Sequence, residues 1–101
     1  MIRYSIATAV VAILLPLDAS AGTIEKACLN SDRQAASRPL CGCLQQVADL
    51  TLRSGDQRKA AKFFADPDQA QKVRMSKSDR DNAFWERYKN FGETAQVFCE
   101  G

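Results

Sequence analysis

Four cysteines constrain this chain more than any other feature: Cys28, Cys41, Cys43 and Cys99 follow the spacing C-x12-C-x-C-x55-C. That spacing does not suit zinc, whose sites are usually built from paired gaps of about two to four residues, and the chain has no histidine to complete one. A thioredoxin-type oxidoreductase places C-x-x-C in a βαβ context, whereas here the pair is C-x-C and no β-rich segment surrounds it. Cys41 and Cys43 do fall in the first turns after Ser37 and Pro39, where a helix N-terminus favours the thiolate. A bond between them would nevertheless close a very small, strained ring. An even cysteine count in a short exported chain reads instead as two disulfides.

Export is what the N-terminus predicts. The chain opens MIRYSIATAVVAILLPLDASAGTIEKAC, with Arg3 as a short positive region, an uncharged run from Ile6 to Leu15, a break at Pro16 and the small-x-small pattern Ala19-Ser20-Ala21. This is the arrangement of a cleavable signal peptide, and the run is about half the ~20 apolar residues that span a bilayer. The alternative is an uncleaved membrane anchor; no cysteine follows the small residues directly, which argues against a lipoprotein. The expectation is therefore a signal peptide at residues 1–21 and a single periplasmic domain at 22–101. No other stretch is long and apolar enough to cross a membrane. Such a domain buries only about 60% of its unfolded surface, so covalent staples matter.

Side chains two apart on a helix point about 200° apart, so Cys41 and Cys43 reach different neighbours. If the SDRQAASR stretch turns an αα-hairpin, Cys28 and Cys41 lie equidistant from its middle. That favours Cys28–Cys41 with Cys43–Cys99, and leaves Cys28–Cys43 with Cys41–Cys99 as the alternative. In the chain-entropy model the favoured loops contribute roughly 3 and 4 kcal/mol.

The rest of the chain reads as helices joined by short turns. The first runs from about Ile24 to Ser31, with Thr23 as N-cap and Glu25 in the first turn, where a carboxylate suits the helix dipole. The second runs from about Pro39 to Arg53 and carries Leu40, Leu44, Val47 and Thr51 on one face. Ser54 with Gln57 forms a capping-box pattern for the third, which presents Ala60, Phe63 and Phe64 inward and Arg58, Lys59 and Lys62 outward. Asp66 as cap, Pro67 and Gln69 open a short fourth helix that ends near Met75. SKSD opens the last, Asp79 to about Cys99, with a seam of Phe84, Tyr88, Phe91, Ala95 and Phe98. Gly92 inside it costs about 1 kcal/mol relative to alanine, or marks a close backbone approach. The fold class is all-α: four to five short helices in a small bundle, stapled by two disulfides, with the long C-terminal helix as spine.

The sequence offers little for catalysis. Without histidine there is no Ser-His or Cys-His dyad and no imidazole base. The pairs Asp66/Asp68 and Asp79/Asp81 stand at helix starts, where carboxylates cap free N–H groups. No metal, cofactor or catalytic residue is expected. Arg3 and Asp18, one of each sign, leave with the signal peptide, so the domain keeps the net charge of +2. That balance is too weak for a nucleic-acid binder. Arg53, Arg58, Lys59, Lys62, Lys72, Arg74, Lys77 and Arg80 could line up to meet anionic lipid, peptidoglycan carboxylates or an acidic partner; interspersed aspartates favour a plain solvated face. Asp81 and Trp85, four apart, could hold a small cationic ligand by charge and cation–π contact, although a tryptophan beside a seam more often packs at its edge.

The pattern LCGCLQQVADLTL–DQRKAAKFF–DP–AQ–VRMSKSDRDNAFWERYKNFGETAQVFC resembles a family of small exported proteins of Alphaproteobacteria. The likeness covers nearly all of residues 22–101, and the four cysteines and FWERYKNFG are its most specific parts. Members often carry the label "arginine transporter", and no catalytic residues come with it. A domain this small cannot form a translocation path, so the resemblance implies at most an accessory or binding component beside a membrane partner. The leading expectation is a non-enzymatic periplasmic binding or interaction protein whose partner is another periplasmic or membrane protein. The alternatives are an accessory linked to arginine or amino-acid transport, and a small chaperone or inhibitor.

Overall fold

The computed structural model describes residues 22–32 and 36–99. The signal peptide expected at 1–21, its cleavage after Ala21 and the middle of the SDRQAASR connection lie outside them. The described residues form five helices and no strand: α1 (Thr23–Leu29), α2 (Arg38–Thr51), α3 (Ser54–Ala65), α4 (Asp68–Arg74) and α5 (Asp79–Cys99). Both disulfides are formed, Cys28–Cys41 with Cα atoms 5.5 Å apart and Cys43–Cys99 with Cα atoms 5.8 Å apart. Each lies within the usual span of an unforced bridge.

Most helix starts follow local hydrogen bonding. The Ser37 hydroxyl accepts from the Leu40 N–H and opens α2. Ser78 does the same for α5, accepting from Asp81 N–H. Asp66 accepts from the Asp68 N–H and from the Gln69 side chain at the entry to α4. Three starts differ from the sequence expectation. At α4 the capping position falls on Pro67, already in helical backbone, rather than on Asp66. α1 is capped by Gly22 rather than Thr23, because its free N–H groups find an acceptor on another helix: Gln45 Oε1 takes Ile24 N–H at 2.8 Å and Glu25 N–H at 3.0 Å. At α3 the cap is Arg53 and Ser54 already lies inside the helix. Asp56, not Gln57, reaches back to the Arg53 N–H. Gln57 turns inward, where tertiary bonds claim it.

Those bonds complete a polar knot between α1, α2 and α3. Gln45 Nε2 donates to Asp49 Oδ1 at 2.8 Å and to Gln57 Oε1 at 2.9 Å, and Gln57 Nε2 donates to Asp49 Oδ1 at 3.1 Å. Together with its two accepted N–H groups, the Gln45 amide uses both donors and both acceptor sites. Gly22 packs onto this amide so closely that a Cβ there would fall 2.4 Å from it. Any larger residue would have to displace Gln45 and strand the N–H groups it caps.

The core lies where α2 meets α1 and α5, and α3 closes over it. Ile24, Val47, Ala48 and Leu52 meet Ala60, Phe63, Phe84 and Phe91. α2 ends at Thr51 rather than Arg53 because Leu52 switches to extended backbone and buries its side chain there. Phe63 packs edge-on against Phe84 (5.9 Å) and Tyr88 (5.1 Å), the offset geometry that aromatic quadrupoles favour. The α5 seam departs from expectation at its end: Phe84, Phe91 and Ala95 are buried, but Phe98 is 70% exposed. Four residues after Ala95 comes Cys99, whose bond to Cys43 holds that side of the helix against α2. Phe98, one residue earlier, is thereby turned outward.

Candidate functional groove

Leu40 and Leu44 of α2 pack only partly against the core. They form one wall of a surface groove of about 230 Å³ whose other wall is the C-terminal half of α5. Gly92, Gln96 and Cys99 line that second wall, and Phe64, Tyr88 and Phe91 add aromatic surface. The arrangement follows from sequence spacing: Tyr88, Gly92, Gln96 and Cys99 are three or four residues apart and share one stripe of α5. Gly92 lies on the open side of the groove. A Cβ built there meets nothing within 4 Å, so this glycine serves neither a tight backbone approach nor a turn. The lining is mostly apolar, with Gln96 and Tyr88 as its residues that carry a polar side-chain group. A site of this kind suits a mainly apolar group fixed by one or two hydrogen bonds.

The Cys43–Cys99 bridge sits at the groove and is half-buried, whereas Cys28 and Cys41 are 3% and 0% exposed. The two staples thus differ in setting: one is sealed in the α1–α2 hairpin, and the other tethers a groove wall.

Asp81 and Trp85, the residues the sequence suggests for a cationic ligand, are already engaged. Asp81 is paired with Lys59, whose ammonium also lies 4.8 Å from the centre of the Phe84 ring. That ammonium, and next the Ser76 hydroxyl, hold the Asp81 carboxyl below its ordinary pKa. An incoming guanidinium would have to displace an internal cation. Trp85 packs against Tyr88 at 5.2 Å, at the edge of the aromatic core. Among the described residues no three acidic or cysteine side chains converge to hold a metal ion, and no helix is long and apolar enough to cross a membrane.

The groove has no signature in the sequence beyond Gly92, whose place inside a strong helical pattern is the one trace of it. Leu40 and Leu44 read as ordinary core positions. Compared with known proteins, the chain matches no family model, no curated protein and no solved structure.

Proposed function

We propose that the chain is a non-enzymatic binding protein of the periplasm that receives an apolar side chain or short segment of another exported or membrane protein in the α2–α5 groove. The observation that carries this reading is the mostly apolar groove itself, lined by α2 and α5, which a disulfide ties together, with open space at Gly92. The two disulfides suit an oxidising compartment, and the signal-like N-terminus supports reading that compartment as the periplasm. If the likeness to the four-cysteine family holds, the protein acts beside a transporter as a binding component, and the aromatic and aliphatic lining favours a protein segment over free arginine.

The test is site-specific photo-crosslinking in the native envelope. A photoreactive residue at Gln96, beside the groove, should trap a defined partner, and one at exposed Val97 on another face of α5 should not. Gly92→Leu, which fills the groove, should abolish the Gln96 adduct while the protein stays folded. An adduct that persists in Gly92→Leu would defeat the reading.

A further inference from the structure

The net charge of +2 hides a polarised surface. Arg58 and Lys62 stand one turn apart on the outer face of α3, Lys72 and Arg74 lie on α4, and Lys77 and Arg80 follow at the start of α5. All six are exposed, and among the described residues none takes part in an ion pair. The acids of the same stretch that are free of ion pairs offset half of that charge. Asp56 is taken by Arg87 and Asp81 by Lys59, which leaves Asp66, Asp68 and Asp79. Elsewhere on the described surface acids slightly outnumber cations: Glu25, Asp32, Asp49, Glu86 and Glu93 stand against Lys26, Arg38, Arg53 and Lys89.

α4 packs against both α3 and α5, with Ala70 and Val73 turned to the core. That fixes Lys72 and Arg74 on the outside beside Met75, which is 78% exposed. A large apolar side chain set among cations gains nothing against an acidic glycan or a carboxylate-rich protein. At a bilayer surface it enters the headgroup–acyl boundary while the cations meet phosphates.

We propose that the surface of α3, α4 and the start of α5, which carries exposed Arg58, Lys62, Lys72, Arg74, Lys77 and Arg80 together with exposed Met75, docks the protein onto an anionic phospholipid surface. This face is distinct from the α2–α5 groove, and the proposal stands or falls independently of it. Docking here would hold the protein at the membrane with the groove free for a membrane-bound partner. Each cation near such a surface raises partitioning roughly fivefold, and the attraction fades within a Debye length of about 8 Å at physiological salt.

The test is co-sedimentation of the exported protein with phosphatidylglycerol-containing vesicles and with pure phosphatidylcholine vesicles. The readout is the ratio of the two partition coefficients, which an apolar N-terminal segment, if retained, would leave unchanged. The ratio should be large at low salt and collapse at high salt. The triple variant Lys62→Gln, Lys72→Gln, Arg74→Gln should lower it about a hundredfold without changing the melting temperature, since all three side chains are exposed and unpaired. Met75→Ser should weaken binding to anionic vesicles at constant charge. A ratio near one, a triple variant that binds like the parent, or vesicle binding indifferent to Met75→Ser and fully competed by soluble polyglutamate would each overturn the proposal. The last outcome would identify an acidic macromolecule as the partner instead.

Discussion

Arg87 of α5 grips Asp56 at the start of α3 in a two-pronged contact, Nε to Oδ2 at 2.7 Å and the terminal guanidinium nitrogen to Oδ1 at 2.9 Å. Asp56 is buried and also accepts the Arg53 N–H, so one carboxylate both caps α3 and ties it to the spine. The Arg87 hydrogen bonds hold its pKa below the ordinary value of 3.8. A carboxylate depressed in the folded state contributes stability that is present above its unfolded pKa and is lost as pH falls through the folded one. Stability measured by urea unfolding should therefore hold from neutral pH to about 4 and decline below that. Arg87→Leu should cost about 2 kcal/mol at neutral pH and flatten the acid decline. An unchanged acid slope in the variant would assign the pH dependence elsewhere.

The two disulfides should reduce in order. Attack by a thiolate needs access to sulfur, and the Cys43–Cys99 bridge is half-buried whereas Cys41 is 0% exposed. Limited treatment with a dithiol followed by alkylation and peptide mapping should label Cys43 and Cys99 first. Cys28 and Cys41 should follow only under conditions that unfold α1 and α2. Simultaneous labelling of all four would mean the first reduction already unfolds the domain.

Gly92→Ala should stabilise the protein. The added methyl meets nothing within 4 Å, and alanine is better than glycine inside a helix by about 1 kcal/mol. For a domain of this size that raises the melting temperature by about 4–8 °C. A lower melting temperature would show that the groove closes over Gly92 in solution.

Truncations along α5 test where its seam ends. Phe91→Ala should cost about 3–5 kcal/mol, much of a small domain's stability. Phe98→Ala, at a 70% exposed position, should change stability by about 0.5 kcal/mol or less. Comparable losses at both positions would restore Phe98 to the core.

Free arginine should not shift the melting temperature. Asp81 is already paired with Lys59, and the groove is mostly apolar. Binding at about 100 times the dissociation constant would add roughly 2.7 kcal/mol, a shift of more than ten degrees at the usual scaling of about 4–8 °C per kcal/mol. A large shift with arginine but not glutamate, abolished by Asp81→Asn, would establish a cation site.

The features legible in the sequence are those governed by short-range physics. The α5 seam through Ala95 follows from the 3.6-residue repeat, and the Ser37 and Ser78 starts from a hydroxyl accepting a backbone N–H three residues on. The favoured cysteine pairing rested on hairpin symmetry and on the divergent directions of Cys41 and Cys43. The tertiary structure decided what depends on how whole helices lie against one another. Gln45 caps a helix 20 residues away in sequence, which displaced the local Thr23 cap. Gln57 left its capping box for the same knot, and Asp56 met Arg87 across a separation of 31 residues. The closure of the Cys43–Cys99 bridge went with an outward Phe98, and the way α2 and α5 meet left the groove between them. In each case a side chain had two satisfactory environments, one local and one distant. Only the packing of the assembled bundle, which sets the dielectric, the reach and the partner, selected between them.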